Sequence, residues 1–505
     1  MVRVDAEALD ANLDVRASTG VAGLDSVLGG GLPQGHLFLL EGEPGSGKTT
    51  MGLQFLLAGA ARDEKTMYVT LSESLFEIEK VARSHHWSLD KVSILEHTPK
   101  EDSLRPEDQY SAFHPSEVEF SDTTQNILAK VEEIQPKRIV FDSLSEIRML
   151  ARDMLRYRRQ ILALKHYFAN RNCTVMLLDD RTSENNAFQL QSIAHGVISM
   201  ERSQREYGID RRRLRVAKLR GACFREGYHD YTIRKGGVTV YPRLVASEHR
   251  AHEPEGEVQS EVPELDMLLG GGLNRGTSTL LLGPAGSGKS TLAMSYAVAA
   301  ARRGEPVASF VFDETRGSAV RRARQLGMDP QPLLDSGKLT MEQVDPAELS
   351  PGEFVCKIEQ YVEERNVRLI IIDSLNGLMN AMPGEALLTI QMHELLMFLN
   401  QRGVVTLMVM AQAGLVGVMR DSADLSYLAD NVLLLRYFEF KGEVRKALSV
   451  LKKRTGAHER SLREFRIRDG RVSVGEPLAE FQGVLSGMPS SCGVASRSSP
   501  TDDHT

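Results

Sequence analysis

Cysteine is scarce in this sequence. Its four copies, Cys173, Cys223, Cys356 and Cys492, are scattered through 505 residues. No two stand at metal-ligand spacing, and so low a count excludes a disulfide scaffold. Reduced thiols in a cytosolic protein are the expectation. Long apolar runs are missing too. No stretch approaches the ~20 apolar residues that span a membrane. The N-terminal segment MVRVDAEALDANLDVR lacks the apolar core of a signal peptide. A cytoplasmic protein without a membrane partner is therefore expected. Nor is there a strong charge of one sign: the net charge is −7, too mild to argue for or against nucleic acid. What is present is the balance of an ordinary globular protein, 42% hydrophobic and 26% charged, in a chain long enough for two or three domains.

The chain repeats itself. Leu24-Asp25 followed by Leu28-Gly29-Gly30-Gly31-Leu32 returns as Leu265-Asp266 followed by Leu269-Gly270-Gly271-Gly272-Leu273. A second shared feature, Gly42 to Thr49 against Gly283 to Ser290, keeps the same spacing between copies. Ser247 to Gly256 has linker composition. These features predict a first domain over 1–247, a second over 248–489 and a disordered tail over 490–505. Each half reads as strand, Gly-rich loop, helix, then alternating strands and helices. His36 to Leu40, Arg138 to Phe141 and Thr174 to Leu178 are apolar runs suited to strands buried on both faces, as are Ser278 to Leu282, Leu369 to Ile372 and Val404 to Met410. The fold class expected is α/β: two tandem domains, each a mainly parallel sheet flanked by helices.

Both Gly-rich loops match the eight-residue P-loop. The first places Gly42, Gly45, Ser46, Gly47, Lys48, Thr49 and Thr50; the second places Gly283, Gly286, Ser287, Gly288, Lys289, Ser290 and Thr291. Glycines let backbone amides converge on phosphate, and the next helix presents its positive end to the same anion. ATP and Mg²⁺ are the cofactors this predicts. Lys48 and Lys289 would reach the phosphates, while Thr49 and Ser290 supply metal-binding hydroxyls. Asp142 and Asp373 each end an apolar run and are the second metal ligands expected. Hydrolysis also needs a group that handles the water. Glu73, and Asp313 with Glu314, end the strand after each P-loop helix and are the candidate bases.

Together these residues resemble the KaiC family of ATPases, over about Ala17 to Gly487. The resemblance rests on both Leu-Gly-Gly-Gly-Leu openings, both P-loops, the acidic strand ends, Lys218-Leu219-Arg220-Gly221 and Lys452-Lys453-Arg454. It implies two RecA-like domains assembled as a two-tiered hexameric ring, with nucleotides between neighbouring subunits. It also implies that Lys218 with Arg220, and Lys452 with Arg454, reach a neighbour's γ-phosphate. Asp313 and Glu314 match the family's paired carboxylates, whereas Ser72 departs from the pattern beside Glu73. The second site is thus expected to be the more fully equipped. At the family's Ser-Thr phosphorylation pair this chain has Ser426 and Tyr427, leaving Ser426 as the candidate for serine autokinase activity. The function implied is a ring-forming ATPase acting in signalling, with partner proteins unspecified.

Two other readings come from the residues. The cations from Arg202 to Arg220, including Arg211-Arg212-Arg213, raise a DNA-acting motor. Glu206 and Asp210 interrupt them and only Tyr207 offers an aromatic there, which favours a solvated hairpin and makes nucleic acid an unexpected partner. A nucleotide-stabilised scaffold with little turnover is the third reading. Asp179-Asp180 and Gln412 stand where a γ-phosphate sensor is expected.

Overall fold

A computed structural model describes residues 15–97, 115–151, 154–180, 190–205, 207–249, 255–380, 388–412, 427–468, 471–479, 481–482 and 490–491. The chain forms two compact units, Met1–Arg243 and Leu244–Thr505. Leu244 and Ala246 are buried in the second unit's core, and the Ala246 amide donates to Glu394 Oε2 at 2.9 Å. Chain that reads as the end of the first domain therefore packs with the second. Of the expected tail, Ser490–Ser491 pairs with Phe481–Gln482, and 492–505 lies outside the described residues.

The first unit holds a nine-stranded sheet: β1 (Leu37–Gly42), β2 (Thr66–Thr70), β3 (Val92–Glu96), β4 (Arg138–Asp142), β5 (Thr174–Asp180), β6 (Gly196–Ser203), β7 (Arg211–Leu219), β8 (His229–Arg234) and β9 (Gly237–Tyr241), in the order β9-β8-β7-β6-β1-β5-β4-β2-β3. From β6 to β3 all neighbours are parallel. The β6–β7, β7–β8 and β8–β9 pairs are antiparallel. The second unit repeats this order with β10 (Ser278–Gly283), β11 (Val307–Val311), β12 (Leu339–Gln343), β13 (Leu369–Asp373), β14 (Val405–Ala411), β15 (Asn431–Phe440), β16 (Glu443–Lys453), β17 (Arg463–Arg468) and β18 (Arg471–Pro477). The expected α/β class and mainly parallel sheets are what is found.

The apolar runs explain the layering. Along β1, Leu37 and Leu39 enter one core and Phe38 and Leu40 the other, because successive strand side chains point to opposite faces. Met51, Leu53, Phe55 and Leu56 of the helix Lys48–Ala60 cover the second face. Tyr157, Ile161 and Phe168 of the helix Met154–Ala169 cover the first. In the second unit, Leu281 packs with the alanine-rich helix Lys289–Arg302, while Leu280 packs with Leu395, Phe398 and Leu399. With helices on both faces, each sheet exposes working groups mainly at its strand ends.

One buried charge ties the first unit together. Arg138 opens β4 and is 1% exposed. Its guanidinium pairs with Glu64 at 2.5 Å and donates to the carbonyls of Ser18 at 2.6 Å and Phe55 at 3.0 Å. Removing one member of such a pair strands the other, so Arg138→Met is expected to destabilise the first unit by ~3 kcal/mol. Denaturant unfolding of the full chain, following the first unit's transition, checks this; an unshifted transition contradicts it.

Candidate functional site

Both P-loops stand at the carboxyl end of the central strand of their sheet. β1 runs into Gly42–Thr49 and then the helix Lys48–Ala60; β10 runs into the second loop and the helix Lys289–Arg302. Gly47 and Gly288 start these helices at φ 99° and 106°, a backbone region costly to residues with a Cβ. A Cβ on Gly288 would also meet Phe465 at 2.8 Å and Ile467 at 2.9 Å.

Lys48 Nζ donates to the carbonyls of Gly42 at 2.9 Å and Glu43 at 3.0 Å, and pairs with Asp180 at 2.8 Å. Lys289 Nζ donates to Gly283 and Pro284 at 2.8 and 2.7 Å, and burial lowers its pKa to about 8. The hydroxyls of Ser46 and Ser287 are buried and have no hydrogen-bond partner. Unsatisfied buried donors are rare. Two of them at equivalent places in two phosphate-type loops fit an anion such as a nucleotide's phosphate. A tyrosine pins each loop: Tyr231 of β8 donates to the Ser46 carbonyl at 2.7 Å, and Tyr437 of β15 to that of Ala285 at 3.1 Å.

Asp142 ends β4 beside the first loop. Its Oδ2 accepts from Thr49 Oγ1 at 2.7 Å and from the Tyr68 hydroxyl at 2.5 Å. Asp373 ends β13, with Ser290 of the second loop near enough to act on its pKa. Burial raises the pKa of both carboxyls, and the neighbouring hydroxyls oppose it. Each pair is a set of hard oxygen donors, the chemistry that magnesium takes. Of the two expected phosphate sensors, Asp180 is the partner of Lys48, and the Gln412 amide donates to the Gly283 carbonyl at 3.0 Å.

The candidate bases differ between the units. Thr70 closes a turn after β2: its hydroxyl donates to the Glu73 carbonyl at 2.6 Å and accepts from the Glu73 amide at 3.0 Å. Ser74 and Glu77 then cap the helix Leu75–Ser84 with a reciprocal capping box. Glu73 is thereby held half-buried, and its Oε2 has no hydrogen-bond partner. Burial raises its pKa above the ordinary 4.5, and the charges of Asp142, Glu77 and Asp180 add to the shift. In the second unit Asp313 is exposed and accepts from Ser374, while Glu314 forms an ion pair with Arg322. Val81 occupies the position of Arg322 in the first repeat. The acidic pair that makes the second site look fuller in sequence is thus engaged by its own neighbours.

The Lys-x-Arg pairs stand toward the other end of each sheet. Lys218 of β7 lies opposite Val197 of β6, which lies opposite Leu39 of β1, on the order of 10 Å back along the strand from Gly42. Its Nζ turns further away, donating to the carbonyls of Gln191 at 2.6 Å and Ala194 at 2.8 Å; Arg220 donates to Ser192 at 2.9 Å. Lys452 lies level with Leu280 through Val432 and donates to the Ala429 carbonyl at 2.7 Å. Arg454 donates to the Tyr427 carbonyl and pairs with Asp430 at 3.2 Å.

The matching position in the first unit is His195, since the Arg220 amide bonds its carbonyl just as the Arg454 amide bonds that of Asp430. His195 stacks on His36 at 3.8 Å. Its pKa falls to about 4, through burial first and then His36. Among the described residues Arg220 has no carboxylate partner, whereas Arg454 has one. Ser426 lies outside the described residues, and Tyr427 beside it is 56% exposed. The basic hairpin is satisfied in part: Arg202 pairs with Asp210 at 2.6 Å, and Arg213 and Arg215 lie over the Tyr228 ring at 5.0 and 5.5 Å, while the buried Nε atoms of Arg212 and Arg215 have no hydrogen-bond partner. Sequence reasoning missed Tyr68, Tyr231, Arg322 and the His195–Asp430 contrast. Laying the two repeats side by side exposes the first, third and last of these.

Two parallel-centred sheets, each with a P-loop on its middle strand and an acidic strand end beside it, define a tandem RecA-like P-loop protein. The family model "ATPase: KaiC" matches residues 17–245 and 258–479, and the chain belongs to that family. It is 26% identical to the circadian clock oscillator protein KaiC of Acaryochloris marina, over 93% of this chain and 90% of that protein. It is equally similar, at 26%, to the circadian clock protein KaiC3 of Synechocystis sp., over 94% of both chains. Identity to the circadian clock oscillator protein KaiC of Thermosynechococcus vestitus is 26%, over 93% and 91%. No helix among the described residues is long and apolar enough to cross a membrane.

If both loops bind nucleotide, Lys48→Ala and Lys289→Ala should each lower the ATP-binding stoichiometry from two per chain to one. Equilibrium binding with a radiolabelled ATP analogue measures this; two sites persisting in either variant contradicts the assignment.

Proposed function

We propose that this chain hydrolyses ATP at sites completed by neighbouring copies, with the first domain carrying most of the turnover. The observation that carries this reading is the position of the Lys-x-Arg pairs. Lys218 and Arg220 point away from their own P-loop, so the γ-phosphate they serve belongs to the next copy. Head-to-tail contacts of that kind close into rings, and the hexamer implied by the resemblance is the natural closure.

In the first site the loop amides and Lys48 would hold the β- and γ-phosphates. Thr49 and Asp142 would hold magnesium, as Ser290 and Asp373 would in the second site; the ion supplies positive charge against the phosphates. Glu73, with an unpartnered oxygen and a raised pKa, orients the attacking water and accepts its proton. The neighbour's Lys218 and Arg220 stabilise charge on the transferring phosphoryl group. In the second site Glu314 must first leave Arg322, and Arg454 must leave Asp430. Slow turnover there keeps ATP in place, which suits both a ring-holding role and phosphoryl transfer to Ser426. The relatives' description as clock proteins favours signalling over a DNA-acting motor, as does the pairing of Arg202 with Asp210 within the hairpin.

Glu73→Gln should lower steady-state hydrolysis by at least about tenfold, the remainder coming from the second site, and Glu314→Gln by much less. The base must be ionised, so the rate falls as pH drops through its raised pKa. In the Glu314→Gln chain the acid limb should therefore lie above 4.5. A larger loss from Glu314→Gln sinks the division of labour. Phosphosite mass spectrometry on the same incubations tests the Ser426 step: an unmodified Ser426 removes it.

A further inference from the structure

Tyr68 is hydrogen-bonded to Asp142, one of the metal-type ligands of the first site, and none of the roles above uses it. It sits in β2, opposite Val140 of β4, two residues before the Thr70–Asp142 pair. The residue is fully buried, at 0% exposure. Its hydroxyl donates to Asp142 Oδ2 at 2.5 Å, the same oxygen that accepts from Thr49 at 2.7 Å. A buried phenol has no water to turn to, so its geometry is set by this acceptor. Two donors converging on one oxygen fix the rotation of the carboxylate and leave Oδ1 free of both. The second unit has no counterpart. Ser309 of β11 lies opposite Ile371 as Tyr68 lies opposite Val140, and Phe310, Val311 and Asp373 follow in the same register. A serine side chain is too short to span that two-residue offset, which leaves the Ser290 hydroxyl as the neighbouring group that lowers the Asp373 pKa.

We propose that Tyr68 is a positioning residue of the first site: it locks the Asp142 carboxylate so that Asp142 and Thr49 meet magnesium as a pre-formed oxygen pair. The second site lacks this lock and binds the metal more weakly. The inference rests on the reading of the first loop as a nucleotide–magnesium site. Fixing a ligand through its outer hydrogen bond is a general way to raise metal affinity, and losing such a partner typically weakens binding at least about tenfold.

The test uses the full chain carrying Lys289→Ala, so that the first site alone takes nucleotide. Mn²⁺ is titrated in the presence of ADP and followed by electron paramagnetic resonance. Tyr68→Phe, which keeps the ring and removes only the hydroxyl, should raise the Mn²⁺ half-saturation about tenfold. ADP binding in EDTA should stay as it was, a result that a general defect in the packing of the site does not produce, although loss of the buried hydrogen bond lowers the metal-free melting temperature. In a Lys48→Ala chain, Ser309→Ala should leave the half-saturation of the second site unchanged. Should Tyr68→Phe fold poorly, Tyr68→Leu on this apolar strand gives the same readout. An unchanged half-saturation in Tyr68→Phe, or an equal shift from Ser309→Ala, overturns the proposal while leaving the nucleotide site standing. Failure of the Lys289→Ala chain to bind ADP at all overturns the site reading, and this proposal with it.

Discussion

A parallel sheet has two unlike ends, and that constraint organises each half of this protein. Every strand from β6 to β3 runs the same way, so the turns after β1, β2, β4 and β5 gather at one end. The P-loop, Glu73, Asp142 and Asp180 are the residues those turns deliver. β7 runs the other way, so its last residues, Lys218 and Leu219, return to the opposite end. A strand of about six residues spans ~20 Å, far more than a lysine can reach. Phosphate-binding and charge-stabilising groups are thus separated within one chain by the same hydrogen-bonding pattern that holds the sheet together. On the reading proposed above, assembly is the means of bringing them together.

The duplicated sheet is the shared frame, and three substitutions within it make the halves unlike. Val81 becomes Arg322, which engages Glu314. His195 becomes Asp430, which engages Arg454. Tyr68 becomes Ser309, which removes a donor from the strand-end carboxylate. The first two changes add a counter-charge to a group that the first unit leaves uncompensated. The third withdraws an outer hydrogen bond. On the proposed reading all three favour the first site, against which stands the ion pair of Lys48 with Asp180, a contact with no counterpart at Lys289 among the described residues. A half-exposed pair such as Glu314–Arg322 is a modest constraint. A nucleotide or a neighbour that offers Arg322 another anion can release it.

Much of this was legible in the sequence. The repeat, the P-loops and the strand-end aspartates follow from local rules: apolar runs, glycine spacing and an acid where a strand stops. Those rules act over a few residues, and the positions of Gly42–Thr49, Asp142 and Asp373 agree with them. The partners of the candidate bases did not follow. Counting acids favours Asp313 and Glu314 over Glu73, because sequence shows charges but not their partners. Arg322 is one turn-spaced arginine among Arg316, Arg321, Arg322 and Arg324, and only the helix direction selects it as the partner of Glu314. Ser374 reaches Asp313 from another strand end, a contact set by the sheet order rather than by any motif. The unit boundary is similar: Leu244 and Ala246 look like the end of one domain until their burial in the other is seen.

The central claim is that Glu73 of one copy works with Lys218 and Arg220 of the next. Mixing two inactive variants tests it most directly, both in the Glu314→Gln background, which leaves ATP bound at the second site: one carrying Glu73→Gln, the other Arg220→Ala. If the site is shared, co-assembly pairs an intact Glu73 with an intact Arg220 at about a quarter of the interfaces, and hydrolysis should recover to about that fraction of the unmutated rate. If the mixture stays as inactive as its components after subunits have exchanged, the two groups act within one chain and the account is wrong.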